Sequence, residues 1–229
     1  MQNSYKRIDA HLSSLGYCTR SEAKKFLRIF ELCVKDTRVF DPSIKAYHSD
    51  IKVNDEPLDP ETITILLNKP SGFICSHNDA GSLIYALIPA RWNRRNPKIS
   101  TIGRLDVDTT GAIILTDDGA LNHRLSSPKS DVSKVYEATL AVPLKGDEKE
   151  IFASGEVMLN GEKKPLLPAK LEIISPTQVR LEISEGKYHQ VKRMFASVGN
   201  RVLTLHRVSF DGFGVENLKE GEYHIIDMK

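Results

Sequence analysis

Gly103-Arg104-Leu105-Asp106-Val107-Asp108-Thr109-Thr110-Gly111 runs directly into the apolar stretch 112–115 and then into the turn Asp117-Asp118-Gly119. The apolar stretch predicts a buried strand, and the two bracketing glycines permit tight turns before it. Arg104 stands two residues before Asp106, so an extended backbone puts both side chains on one side. A cation at that distance keeps a carboxylate ionised where water is partly excluded. A carboxylate nucleophile or proton relay needs that state, so Asp106 is the first candidate catalytic residue.

Two other interpretations of Asp106 stay open at this point. An aspartate between turn glycines often only bonds its own backbone or caps a helix. Asp106 and Asp108 also fit the Asp-x-Asp-x-Thr pattern of magnesium-dependent phosphohydrolases with an aspartyl nucleophile. That pattern normally follows an apolar strand, whereas Pro, Gly and two cations precede it here in 97–105. A hard cation also needs several oxygen ligands, and we expect Asp117 and Asp118 at the far end of the strand. The metal interpretation is therefore the weaker one.

Composition and charge are those of a soluble, folded chain. The 229 residues are 40% hydrophobic and 27% charged, with a formal net charge of +2. No apolar run approaches the ~18 residues that span a bilayer, and the polar start lacks the apolar core of a secretory signal. Cys18, Cys33 and Cys75 are odd in number and lack the close pairing of a zinc or redox site, which predicts reduced thiols. The sequence predicts a cytoplasmic protein without membrane association.

Positive charge is concentrated in two places. Between Gly186 and Phe210 the chain has five Lys or Arg, two His and no Asp or Glu. The second group has near-helical spacing, which places most of it on one face: Arg20, Lys24, Lys25 and Arg28. A charge run is often only a solvated face. Two separate basic faces suggest instead a polyanion held at two places.

The pattern divides the chain near a proline-containing turn at 57–60. Residues 1–60 predict a small helix-plus-hairpin unit, with a helix around Leu12, a helix at 22–30, and strands at 32–34 and 51–53. For residues 61–229 the predicted strands are 63–67, 72–75, 112–115, 135–142, 169–174 and 178–183, and the predicted helices are 82–88, 119–125, 146–154 and 189–198. Strands outnumber helices without regular alternation. This favours an α+β fold with a mixed or antiparallel sheet.

Four blocks together resemble one family, the pseudouridine synthases that act on ribosomal RNA. They are Leu67-Asn68-Lys69-Pro70-Ser71-Gly72, the block 103–111 quoted above, Lys134-Val135-Tyr136, and Ser184-Glu185-Gly186-Lys187-Tyr188-His189-Gln190-Val191-Lys192-Arg193-Met194-Phe195. All four stand in the family's order and cover most of the chain after Thr64. Segments 176–180, 196–200 and 205–207 are similar to the small-subunit branch, which modifies 16S rRNA. The first sixty residues resemble the S4-like RNA-binding domain of that branch, although Phe30-Glu31 stands where such domains have Gly and a basic residue.

The resemblance implies a reaction and the residues that carry it. Uridine becomes pseudouridine when the N1 glycosidic bond breaks, the uracil rotates, and C5 joins the same sugar, without cofactor or metal. Asp106 is then the reacting carboxylate, as nucleophile or as base, and Lys192 pairs with it. Arg104 holds a neighbouring phosphate or fills the space that the flipped base leaves, and Tyr136 stacks on the uracil and helps to move the C5 proton. The other cations are predicted contacts to the RNA backbone: Arg20, Lys24, Lys25, Arg28, Lys187, His189, Arg193 and Arg207.

The leading hypothesis is a monomeric 16S rRNA pseudouridine synthase that works on free RNA or on an assembling small-subunit particle. A 23S rRNA synthase of the same family is one alternative. A non-catalytic RNA-binding or ribosome-assembly protein is another, because the two basic faces alone account for RNA binding. The magnesium phosphohydrolase is the third.

Overall fold

The computed structural model describes residues 3–127 and 130–228. Its first part is small and built on two helices and six short strands: β1 (Tyr5–Arg7), α1 (Ile8–Ser14), α2 (Ala23–Ile29), β2 (Leu32–Val34), β3 (Thr37–Arg38), β4 (Lys45–Tyr47), β5 (Ile51–Val53) and β6 (Glu56–Pro57). Strands β3-β2-β5-β6 form an antiparallel sheet, and β1 pairs with β4. Leu12, Leu27 and Leu32 belong to a core that this part forms for itself. The predicted helix-plus-hairpin organisation is thus present.

The second part is dominated by one large sheet. Its elements are β7 (Thr64–Lys69), β8 (Ser100–Ile102), β9 (Thr110–Thr116), α3 (Gly119–Ser126), β10 (Lys134–Leu140), α4 (Glu148–Ala153), β11 (Lys170–Ser175), β12 (Gln178–Ile183), α5 (Gln190–Ser197), β13 (Val202–Phe210), β14 (Phe213–Gly214) and β15 (Tyr223–Ile225). The strand order is β11-β12-β10-β13-β9-β7-β15, with β8 on β9 and β14 on β13. Within the described ranges β13 and β9 are the one parallel pair, so the sheet is mixed as predicted.

Strands β7 and β9 are buried on both faces of this sheet. Ile113 and Leu115 belong to the core under α4 and α5, whereas Ala112 and Ile114 belong to the core under α3. Alternate strand residues point to opposite faces, so a strand covered on both sides needs a continuous apolar run. This burial on both faces explains the unbroken apolar stretch 112–115. It also holds β9 in place directly after the loop that contains Asp106.

Two predicted elements are wrong. Residues 72–75 form a turn with one isolated bridge, Ile74 to Leu83, because Gly72 has a positive φ of 87° that ends the extended backbone. The predicted helix 82–88 is only the 3₁₀ turn Ile84–Leu87. The pattern also missed β8, β13 and β15. Of these, β8 matters most for the argument about Asp106, because it places a short strand immediately before that segment.

The two parts contact each other through residues 91–96 of the second part. Arg91 donates to Asp59 Oδ1 at 3.1 Å, and Trp92 Nε1 donates to Asp59 Oδ2 at 2.8 Å. The Arg91 guanidinium also lies 4.0 Å from the centre of the Tyr17 ring. Asn96 N donates to Ser14 O at 2.9 Å. No helix in the described ranges is both long enough and apolar enough to cross a membrane.

Candidate active site

Asp106 lies on the loop that joins the antiparallel strands β8 and β9. The loop closes on itself where Thr109 N donates to Asp106 O at 3.1 Å, and Gly72 N donates to Val107 O at 2.8 Å from the neighbouring turn. Gly111, the second residue of β9, has a φ of 104°, and an added Cβ there would lie 2.2 Å from Arg207 O. Glycine is therefore required for the close approach of β9 to β13.

A buried lysine binds the backbone of the same loop. Lys69, the last residue of β7, is fully buried, and its ammonium donates to the carbonyls of Pro70, Asp106, Val107 and Thr109 at 3.2, 3.1, 3.3 and 2.8 Å. Burial lowers the pKa of Lys69 because the charged form is poorly solvated there. A cation at this point fixes the backbone on which the Asp106 side chain stands.

Each oxygen of the Asp106 carboxylate faces a nitrogen of the block 184–195. His189 Nε2 lies 3.2 Å from Oδ1, and Lys192 Nζ lies 3.0 Å from Oδ2. Lys192 also donates to Asp108 at 2.7 Å, and this bond lowers the pKa of Asp108. Burial alone lowers the pKa of Lys192, but its bonds to the two carboxylates outweigh that effect and raise it. The site thus places the Asp106 carboxylate between the ammonium of Lys192 and the ring of His189.

His189 and Lys192 both reach the Asp106 loop because of how helix α5 begins. His189 precedes the helix in the left-handed conformation, with φ 48°, and its ring stacks on Tyr188 at 3.9 Å. Lys192 is one turn further along, so both side chains reach the same loop. Gln190 Oε1 accepts a bond from Lys187 N at 2.8 Å, which fixes the entry to the helix.

A cavity of about 310 Å³ opens beside this carboxylate, within the size range of small-molecule sites. Tyr136 from β10 lies in its wall and is 8% exposed. Among the residues that the structure describes, the charged side chains around it are five cations and two carboxylates: Arg104, Lys134, Lys187, Lys192, Arg207, Asp106 and Glu185. The cavity is therefore electropositive and suited to an anionic or electron-rich ligand.

Arg207 differs from its prediction. It is 2% exposed, on β13, where its Nε donates to Ala112 O at 2.6 Å and its Nη1 donates to the Tyr136 hydroxyl at 3.4 Å. A contact to the RNA backbone needs a cation that solvent can reach, so that prediction is wrong for Arg207. The residue belongs to the floor of the cavity.

Arg104 does not lie against Asp106 as its sequence spacing predicted. It is exposed at the cavity rim and forms no ion pair with Asp106 within 3–127 and 130–228. Gly103, with φ 70°, turns the backbone just before Arg104. The cation that contacts Asp106 is Lys192, the pairing that the family resemblance implied and that local spacing does not reveal.

The remaining predicted RNA contacts lie at different places. Arg20 is exposed and pairs with Asp9 at 3.3 Å, while Lys24, Lys25 and Arg28 are exposed on and beside α2. Lys187 lies at the cavity, 3.8 Å from Glu162, and Arg193 pairs with Glu162 at 3.2 Å. Arg193 therefore holds the segment at 160–162 against α5 as well as contributing charge.

The metal interpretation finds little support in this geometry. No group of three His, Cys, Asp or Glu side chains in the described part of the chain is placed to hold a metal ion. Asp106 and Asp108 both face the ammonium of Lys192, and Asp117 is bound to Arg95 at 2.7 Å at the far end of β9.

Sequence reasoning named Lys134 and Lys69 only as parts of motifs. Lys134 stands two residues before Tyr136 on β10, so both side chains share one face and reach the cavity. Their i, i+2 spacing was a usable signal once the strand was recognised. The role of Lys69 depends on carbonyls of a loop far along the chain, for which no local signal exists.

We compared the chain with known proteins to find the class of protein to which this sheet, cavity and carboxylate belong. Residues 63–197 match the RNA pseudouridylate synthase family, more than half of the chain. The chain belongs to that family and is an isomerase of the pseudouridine synthase class.

Individual relatives narrow the comparison. The chain is 49% identical over 162 residues to ribosomal small subunit pseudouridine synthase A of Escherichia coli K12, covering 69% of this chain and 68% of that protein. It is 41% identical over 222 residues to the protein of the same name from Haemophilus influenzae, covering 95% and 94%. A crystal structure of a pseudouridylate synthase matches with a TM-score of 0.68 and 41% identity, covering 97% of this chain and 96% of that one.

Proposed function

We propose that this protein converts one uridine of 16S ribosomal RNA to pseudouridine, with Asp106 as the reacting carboxylate. The observation that carries the proposal is the placement of Asp106 between His189 and Lys192 at the edge of an electropositive cavity. The relatives named for the ribosomal small subunit support the choice of RNA. The reaction is proposed to need neither metal nor cofactor.

The geometry supports distinct roles around the flipped nucleotide. Lys192 holds the Asp106 carboxylate in place, since its ammonium lies 3.0 Å from Oδ2. Tyr136 presents a ring and a hydroxyl to the cavity, so it can stack on the uracil and move a proton at C5. Arg104 is exposed at the rim, where a neighbouring phosphate or the vacated space in the RNA helix would meet it.

We propose that residues 1–60 are an S4-like RNA-binding domain and residues 61–229 the catalytic domain. The separate core of the first part supports this division. Its exposed cations at α2, namely Arg20, Lys24, Lys25 and Arg28, form one RNA contact surface, and Lys187, His189 and Arg193 form another beside the cavity. The protein is proposed to act in the cytoplasm as a monomer.

The test is tritium release from 16S rRNA transcript labelled at uridine C5, since the new C–C bond displaces that hydrogen. Wild-type protein without added metal should release about one equivalent per RNA, because one uridine is proposed to be flipped out and converted. Asp106→Asn should release none while binding the RNA with unchanged affinity. The matched control is Asp108→Asn, which alters the other carboxylate on Lys192 and should keep turnover within about tenfold.

Turnover by Asp106→Asn near the wild-type rate would refute the role of Asp106. Tritium release from 23S RNA alone would show that the protein is a 23S rRNA synthase. Release from neither RNA would favour a non-catalytic RNA-binding protein.

The RNA surface of the N-terminal part needs its own variant. Lys24→Gln combined with Arg28→Gln removes two exposed cations without touching the core. If both contact phosphates, the slope of log K against log salt should fall by about 1.8, at about 0.9 per phosphate, while the single-turnover rate at saturating protein stays the same. An unchanged slope would remove this face from the RNA contact.

A further inference from the structure

The floor of the cavity contains a guanidinium without an anion. Arg207 is 2% exposed, yet it forms no ion pair within the described ranges. Its Nε and Nη1 are bonded to Ala112 O and the Tyr136 hydroxyl, whereas the buried Nη2 has no hydrogen-bond partner there. A buried cation with an unsatisfied donor is costly unless something compensates it. Because Arg207 lines the cavity, the compensating group is expected from a ligand.

A second unpaired cation lies beside it. Lys134 Nζ donates to Val132 O at 2.6 Å and forms no ion pair within residues 3–127 and 130–228. The Phe210 ring lies next to both cations, 5.6 Å from Lys134 Nζ and 5.0 Å from Arg207 Cζ. Burial, and then the charge of Arg207, lower the pKa of Lys134 to about 8. Two cations that repel each other are thus held on one wall of the cavity.

Neither cavity carboxylate forms an ion pair with these two cations within the described residues, and the attraction of Asp211, Asp131 and Glu185 for Lys134 is outweighed by its burial. Asp106 is engaged by His189 and Lys192, and Glu185 Oε1 accepts bonds from Leu167 N and Gln190 Nε2. Arg207 and Lys134, near Tyr136 in the cavity wall, therefore carry positive charge that neither carboxylate pairs with in the described residues.

We propose that Arg207 and Lys134 stabilise the uracil as it leaves the ribose as an anion. This rests on the proposed function, in which the C1′–N1 bond breaks. The electron pair of that bond goes to N1, and the resulting negative charge spreads over the O2 and O4 carbonyls of the ring. After rotation C5 bonds to C1′, the proton on C5 departs and N1 takes up a proton, so no net proton is gained or lost. Donors aimed at charge that develops during reaction accelerate it.

A backbone phosphate is the less suitable anion for this pair. Phosphates contact cations that solvent can reach, such as Arg104 at the rim, whereas Arg207 is buried under Tyr136 and beside Phe210. A flat ring stacked on Tyr136 can bring a carbonyl oxygen to Arg207 Nη2, while a phosphodiester carries a chain on either side. The site fits the base rather than the backbone.

The experiment compares 16S transcripts made with uridine or with 5-fluorouridine. Fluorine makes the departing base a more stable anion, so cleavage of its glycosidic bond depends less on the protein. The rearranged nucleosides are separated chromatographically after single turnover at saturating enzyme. This readout replaces tritium release because 5-fluorouracil has no hydrogen at C5. Arg207→Met should slow uridine by about 10²-fold, and 5-fluorouridine by clearly less. The RNA Kd should stay within about twofold.

Lys134→Met should show the same pattern at about tenfold, and it carries the test if Arg207→Met does not fold. Arg207→Lys, which keeps the charge, should recover part of the rate, and Arg201→Met, an exposed cation on the approach to β13, should match wild type.

Equal slowing of both nucleotides would show a merely structural role and overturn the inference. A weakened Kd with an unchanged rate would assign the pair to phosphate and overturn it as well. Absence of wild-type turnover on 16S RNA would instead count against the proposed substrate.

Discussion

Replacing Lys69 with Met should disable the Asp106 loop without changing any group in the cavity. The side chains have similar length and volume, so the buried space stays filled. What disappears is the ammonium that binds the carbonyls of Pro70, Asp106, Val107 and Thr109. The loop then keeps only its backbone bonds and can move.

The magnitude follows from two opposing terms. An ammonium donates up to three hydrogen bonds, and bonds from a charged donor are worth about 1.5–3 kcal/mol each. Methionine avoids the desolvation of a fully buried cation, which costs several kcal/mol and offsets much of that sum. We expect the free energy of unfolding to fall by about 2–4 kcal/mol. A displacement of about 1 Å at Asp106 should slow single turnover by about 10²-fold.

Urea unfolding and tritium release under single-turnover conditions measure the two effects. The matched control is Lys164→Met, at an exposed lysine, which should leave both quantities unchanged. If Lys69→Met unfolds within about 1 kcal/mol of wild type and turns over within threefold of it, the carbonyl bonds do not position the loop.

Three further predictions concern stability and are measured by urea unfolding. The pKa of Lys134 in the folded protein, about 8, is below its ordinary 10.5, so the unfolded chain binds more protons between these pH values. The free energy of unfolding of wild type should therefore rise between pH 8 and 10.5. Lys134→Met should lack that rise and be about 1–2 kcal/mol more stable than wild type at pH 7. Arg95→Met leaves Asp117 charged and buried, and should cost about 3–5 kcal/mol, whereas a loss below 1 kcal/mol would contradict the pair's burial. Gly111→Ala puts a Cβ 2.2 Å from Arg207 O at a positive φ and should cost about 3 kcal/mol or more, with a tolerated alanine contradicting the close approach.

The sequence predicted elements whose signal is local. The apolar run 112–115 identified β9, and the pattern at 189–198 identified α5 within two residues. These segments are buried along one face or both, so periodicity carries the information. Asp106 was found because a specific block surrounds it.

What the sequence could not show depends on partners that are distant along the chain. β13 has His206 and Arg207 in its middle, which read as surface charge, but Arg207 is buried because Ala112 O and Tyr136 come from other strands. Spacing alone offered Arg104 as the partner of Asp106, whereas α5 supplies Lys192 across the loop, which only the family resemblance had implied. The prediction failed where tertiary contacts override local spacing.

The pairing of β15 with β7 has a consequence for folding during synthesis. β7 is the first strand of the large sheet and pairs with a neighbour on each side, yet one of those neighbours, Tyr223–Ile225, comes after every other strand in the described residues. Until the ribosome releases that segment, one edge of β7 has unpaired amides and carbonyls next to the apolar residues of the core. The nascent protein therefore passes through a state with an open sheet edge, where a chaperone or a second nascent chain can bind, and a chain cut before Tyr223 keeps that edge permanently.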